Sequence, residues 1–435
     1  MTTDASAPAD RDSAERSEQA LGRYRAELRR RRGWYAAVVG LVVVVAVVVV
    51  AVAWSHGEVA NTTLHTADRP LPSVAPAPTN GDLRARWQTS DSVALGDPQD
   101  GGVVVTYGRH SARGRNALTG AVVWSYTRSD RTVCSVLQSG GVSVVALRGS
   151  SGCDQVTALE TATGTRSWTR TLDEDAALFQ GPASLRIYND QLVLTSRTSI
   201  YVVSVNTGVD YWVFDRPGCT IGSAVLGGSG ALIAMRCDAP SCTGQKFCRA
   251  GPQLVLRPLN NPGGVSDADK DKNPDFLTWS VPNTQGWLPV TGGQAVTVVE
   301  PTAQPRLRVL DPKTGAATGS LPLRPPSGDA AAVVAQGSDT FHLLWYRGTA
   351  YALRSGSAFA WTRVAASRPT LTPSASGGGG RILAPDGDRG VLELAAGSGR
   401  TTHRYALPRS AAGARVLPVG AGLLVAGPTS ATYYR

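Results

Sequence analysis

Histidine is scarce in this 435-residue chain: the five are His56, His65, His110, His342 and His403, and no two stand at a spacing that would hold a metal. No Ser, His and Asp arrangement can be named, and the glycine run at 377–380 lies in a serine-rich stretch that reads as a loop rather than a phosphate cradle. Lysine is nearly absent, with arginine outnumbering it 39 to 4, the mark of a GC-rich bacterial genome. Cysteine occurs in neither adjacent pairs nor Cys-x-x-Cys, which leaves a thiolate metal site without its usual spacing. These gaps leave catalysis without a residue to stand on and point toward binding.

What the chain has instead is a repeat. The segment VTALETATGTRSW carries an apolar pair, a turn at Thr163 and Gly164, and Trp168 four residues beyond that glycine. The same unit ends at Trp124 upstream and Trp212 downstream, each 44 residues away, with Gly120 and Gly208 keeping step. A fixed period of this size signals stacked or radial repeats. Later copies loosen: Gly315 is followed by Gly319 where tryptophan should stand, Gly356 by Trp361, and Gly399 by Tyr405. Trp212 and Trp279 are 67 residues apart, one repeat plus an insertion near residues 260–275.

Alternating apolar residues before a Thr-Gly turn fit half-buried strands entering a hairpin, with glycine supplying the positive φ. Trp87 begins the series without a preceding half repeat, and the chain ends in AGLLVAGPTSATYYR, two strands without a following Thr-Gly-Trp unit. The two halves make one repeat, as a circular array closed by pairing its first strand with its last ones requires. At about 40 to 45 residues per blade, the expectation is an all-β, eight-bladed β-propeller of four-stranded antiparallel blades over residues 82–435. Seven blades remain open if the stretched region hides no full repeat. The tryptophans are expected to fill the gaps between blades.

The Ala-Leu-x-x-x-Thr-Gly-x-x-x-Trp pattern at 158–168 and its weaker copies resemble the repeat of quinoprotein-like propellers, the pyrroloquinoline quinone (PQQ) repeat family. That family includes PQQ-dependent alcohol dehydrogenases and cofactor-free propellers such as the BamB-like assembly factors. The resemblance therefore implies the fold and leaves two functions open, since function lives in sites grafted on folds. Family enzymes carry two adjacent cysteines over the cofactor, and no such pair occurs here. Their catalytic aspartate and calcium-binding carboxylate and amide have no motif-matched positions in this chain. No cofactor is expected.

Ahead of the repeats, residues 1–33 are polar and read as a disordered cytoplasmic tail. The tail ends in RYRAELRRRR, a topology signal beside a membrane with lipid contact rather than a nucleic-acid contact, so no nucleic-acid partner is expected. Residues 34–54, WYAAVVGLVVVVAVVVVAVAW, are uncharged and would span about 30 Å as a helix, enough for the hydrocarbon core. The apolar run is longer than that of a cleaved signal peptide, although Ala51 and Ala53 make an A-x-A pattern. The reading is an uncleaved single-pass anchor in the cell membrane, N terminus cytoplasmic and propeller outside. Residues 55–81, with Pro70, Pro72, Pro76 and Pro78, read as a semi-extended spacer.

All six cysteines follow the span, and an even count suits an oxidising compartment. Cys134 and Cys153 lie 19 residues apart, Cys219 and Cys237 lie 18 apart, and the two pairs hold nearly equivalent places in their repeats. Each pair is expected to tie the ends of a hairpin, with Cys242 to Cys248 closing a small loop; the rival is a metal site at Cys237, Cys242 and Cys248. In the insertion, Asp267, Asp269 and Asp271 alternate like the start of a calcium loop. Lys272 stands where that loop needs glycine and Thr278 where it needs glutamate, so a solvated loop is the better reading.

The net charge of +10 lies mostly on the propeller, because residues 1–33 contribute 8 Arg against 6 Asp and Glu. A basic surface favours acidic partners such as anionic envelope polymers. The function expected is a membrane-tethered extracytoplasmic scaffold for a protein or envelope polymer. The alternatives are a PQQ-dependent dehydrogenase and the sensor half of a signalling system, for which 33 residues are too few to hold an effector domain.

Overall fold

The Thr-Gly turns close antiparallel hairpins. In the third copy Ser199–Ser204 runs against Asp210–Asp215 with Val202 opposite Trp212, and the register shifts between Val202 and Val203. The shift recurs beside Gly114, Ala158, Val309, Ala352 and Glu393. An extra residue there raises the local twist that the radiating sheets need.

The computed structural model describes residues 34–35, 38–45, 58–72, 74, 83–96, 102–150, 152–172, 178, 185–244, 246–260, 273, 276–324, 333–338, 341–346, 348–354, 359–365, 369–372, 380–386, 390–407, 411 and 413–435. From Thr63 to Arg435 the chain forms one compact unit built of eight sheets whose four blade strands run antiparallel. Ser92–Val93 opens blade 1 and Arg415–Val419 opens blade 8. Blade 8 takes its fourth strand, Ala85–Thr89, from the beginning of the propeller, where Trp87 pairs with Tyr433. This closure leaves no open end to the ring. Blade 4 absorbs the insertion: its third strand, Gly251–Arg257, and fourth strand, Trp279–Pro282, are separated by the long connection.

Hydrophobic burial is distributed as a ring. Each of eight apolar clusters joins facing sides of two neighbouring blades. One example sets Val103, Val105 and Trp124 of blade 1 against Val136, Val145 and Leu159 of blade 2. The first strands of successive blades approach one another, so they lie nearest the axis. Fourth strands such as Asp210–Asp215 and Thr401–Tyr405 are largely exposed.

The inner wall has one irregular place. Leu95–Gly96 leaves blade 1 and pairs in parallel with Leu137 and Gln138 of blade 2. That departure uncovers the edge of Val103–Tyr107, and the buried Gln138 side chain completes it: its Nε2 donates to the Val103 carbonyl at 2.9 Å, and its Oε1 accepts from the Val105 N–H at 3.1 Å. One amide replaces a strand, as buried backbone groups demand.

Within the stretch read as a spacer, residues 63–72 and 74 belong to the same compact unit as the blades. Thr62–His65 adds a fifth strand to the outer edge of blade 1. Leu64 and Leu71 pack on the core between blades 1 and 2, and the Ala67 N–H donates to the Thr163 carbonyl at 2.8 Å. Proline did not prevent this because Pro70 and Pro72 follow the paired strand instead of interrupting it. In the preceding unit, residues 34–35 and 38–45 are helical and Glu58–Asn61 forms a single turn. No helix among the described residues is long and apolar enough to cross a membrane, and residues 36–37 and 46–54 of the expected span lie outside them.

Candidate functional site

The repeat residues meet across blades rather than within one. Trp124 of blade 1 lies against Gly164 of blade 2, and its indole N–H donates to the Thr161 carbonyl at 2.7 Å. Trp87 reaches Gly120 and Ala117, Trp168 reaches Gly208 and Val205, Trp279 reaches Gly315 and Pro312, and Trp361 reaches Gly399 and Ala396. Trp212 donates to the Leu259 carbonyl at 2.7 Å, at the edge of the insertion. Each ring thus covers the next blade's turn, which explains why glycine and tryptophan keep step. Gly356 lies outside the described residues. One position is corrected: the residue aligned with tryptophan in blade 7 is His403, opposite Glu393 before the register shift, and not Tyr405. His403 is exposed, whereas Tyr405 is buried and donates to Glu393 at 2.5 Å.

The cysteines close three disulfides: Cys134–Cys153, Cys219–Cys237 and Cys242–Cys248. The first two are not equivalent. Cys219 and Cys237 are direct cross-strand partners in a hairpin, but Cys134 is the extra residue of a register shift in the first strand of blade 2 and reaches Cys153 at the start of the third. That correction follows from the bulge, which similar spacing cannot reveal. The sulfurs of Cys219, Cys237 and Cys248 lie within 4.8 Å of one another, and Gln253 Nε2 donates toward Cys237 at 3.2 Å. All are consumed as disulfides, so in this state they offer no thiolate. The calcium candidates Asp267, Asp269 and Asp271 lie outside the described residues; Asn273 exchanges two hydrogen bonds with Leu277.

Two charged networks brace blades 1 and 2. Asp91 accepts from Arg113 at 3.0 Å, from Arg115 at 2.9 Å and from Thr106. Burial alone would raise its carboxyl, but hydrogen bonds and charge from Arg115 and Arg113 outweigh it and hold it below the usual range. Arg128, buried, donates to Asp130 and to Gln155 at 2.5 Å, and Arg131 pairs with Asp154. Both networks satisfy their charges internally and join structure to structure.

Among the described first strands, the charged side chains are Arg186 and Arg415, with no carboxylate. Arg415 donates to the Ala94 and Val93 carbonyls. The outer rim differs. On the fourth strand of blade 3, Trp212 and Phe214 face the core, while Tyr211 and Val213 are each 42% exposed, and Val209, in the turn just before the strand, is 65% exposed. Among the described residues no further strand pairs with this edge. The Tyr211 hydroxyl donates to Asp190 at 2.5 Å, a bond that raises its pKa. Sequence reasoning missed this stripe although its signal was present: DYWVFD is apolar on both faces. Gln138 and Arg186 carried no comparable signal.

The family model described as "Outer membrane protein assembly factor BamB", a PQQ-repeat model, matches residues 39–215. No curated protein matches the chain. Among solved structures, BamB from Moraxella catarrhalis is 14% identical, covering 81% of this chain and 99% of its own, with a TM-score of 0.39. The computationally designed Ika8 protein is 11% identical, covering 84% and 99%, with a TM-score of 0.49. The quinohemoprotein alcohol dehydrogenase ADHIIG from Pseudomonas putida HK5 is 12% identical, covering 83% and 78%, with a TM-score of 0.48.

Proposed function

We propose that this PQQ-repeat β-propeller is a membrane-tethered, extracytoplasmic scaffold that holds a protein or cell-envelope partner without catalysing a reaction. The observation that carries the reading is the apolar pair Tyr211 and Val213 on an exposed sheet edge, with exposed Val209 in the turn just before it. Surface of this kind marks a site of association, and an open edge offers backbone groups as well. An assembly factor as the namesake of the matching family model agrees with it.

The tether rests on residues 34–54, whose described part is helical and exposes Leu41, Val42 and Val44. Lipid would cover that surface, and the arginines before it would face the cytoplasm. Three disulfides suit an oxidising compartment.

We infer that the chain does not hold the quinone cofactor of the family's enzymes. Its activating divalent ion needs oxygen ligands, and the described first strands carry no carboxylate. No reaction step is therefore assigned.

The test is a photo-crosslinking residue at Tyr211 in the protein held in its native membrane. A discrete adduct at that position, absent with the probe at Thr401 on blade 7 and weakened by Val213→Glu, is the expected result. Absence of any adduct would refute the scaffold edge, and saturable binding of PQQ with calcium followed by alcohol oxidation would replace the reading with a dehydrogenase.

A further inference from the structure

Arg186 belongs to Leu185–Tyr188, the first strand of blade 3. Register sets it opposite Val193 and sets Tyr188 opposite Gln191, so these side chains share one face of the sheet. Val193 packs in the cluster that blade 3 shares with Ile221 and Ala224 of blade 4. The face carrying Arg186 is therefore turned toward blade 4 near the axis.

One nitrogen of its guanidinium is enclosed. Arg186 Nε is sealed from solvent and has no hydrogen-bond partner among the described residues, and the same holds for Gln191 Oε1 on the same face. No ion pair reaches Arg186 among the described residues. Desolvation lowers its pKa with nothing opposing it, yet arginine stays protonated in proteins. Part of the side chain remains open to solvent, which leaves a way in.

A buried, unpaired cation is costly and is normally paired or ligated. The described inner strands supply no carboxylate for it. We propose that Arg186 and Gln191 form a binding site for a small oxyanion bearing a hydroxyl, such as hydrogenphosphate or a hydroxycarboxylate, at the inner end of the interface between blades 3 and 4. The planar guanidinium fork matches two oxygens of such an anion. The Gln191 amide oxygen accepts from the anion's hydroxyl.

The test is thermal unfolding of the full-length protein in detergent, titrated with inorganic phosphate or malate against chloride at constant ionic strength. A saturable rise in Tm of about a few degrees with either probe is expected at large ligand excess, and which probe acts identifies the oxyanion. Arg186→Gln should abolish the rise, while Arg400→Gln, at an exposed position, should retain it. Without the anion, Arg186→Gln should melt no lower than the wild type, because the uncompensated charge is gone. A rise that persists in Arg186→Gln, no rise in the wild type, or a lower Tm of Arg186→Gln in chloride alone would each overturn the site.

Discussion

Adding one methyl group at Gly164 tests the interblade lock. A Cβ there would lie 2.6 Å from Trp124 Cγ, on backbone with φ of +76°. Left-handed backbone costs a non-glycine residue about 1–2 kcal/mol, and overpacking against a ring that is 1% exposed adds about 1–3 kcal/mol. Gly164→Ala should therefore destabilise by about 2–5 kcal/mol. Gly140 is the matched control, with φ of +59° and nothing within 4 Å of an added Cβ; its alanine variant should cost only the backbone part, about 1–2 kcal/mol. Trp124→Ala alone should cost about 3–5 kcal/mol, and in that background Gly164→Ala should fall to the Gly140→Ala value. Urea unfolding at unchanged m-value, analysed as a double-mutant cycle, reads the coupling. Equal costs for Gly164→Ala and Gly140→Ala, or additivity with Trp124→Ala, would refute the lock.

Gln138→Leu should cost about 2–5 kcal/mol, because it strands the Val105 N–H and the Val103 carbonyl; an unchanged urea midpoint would count against the amide as a strand substitute. Replacing Cys134 and Cys153 by serine should cost about 3 kcal/mol, and replacing Cys242 and Cys248 about 2 kcal/mol, following loop lengths of 19 and 6 residues; equal losses on thermal melting would contradict the chain-entropy account. Asp91 has a folded pKa below its ordinary 3.8, so its stabilising effect is complete above that value and is lost as the pH falls through the lower folded one. The stability gap between wild type and Asp91→Asn should accordingly be about 1–3 kcal/mol at neutral pH and shrink in strong acid; a gap that stays constant from pH 7 into strong acid would sink that assignment.

Much of the ring was legible because its signals are local and repeated. A Thr-Gly turn, alternating apolar residues and a tryptophan four positions on specify hairpin, face and register without distant information, so blade number and the closure through Trp87 followed from counting. The exposed apolar stripe was partly legible: Tyr211 and Val213 alternate with Trp212 and Phe214, but which face is open depends on the neighbouring blade. Where a one-residue bulge intervenes, spacing fails. It moved Cys134 away from the equivalent of Cys219 and put His403 in the tryptophan position. Tertiary structure alone placed Gln138 against the uncovered edge of blade 1, added Thr62–His65 to that blade's outer edge and left Arg186 Nε without a partner among the described residues. Those contacts join residues of different blades, and a local pattern carries no information about which groups meet once the ring closes.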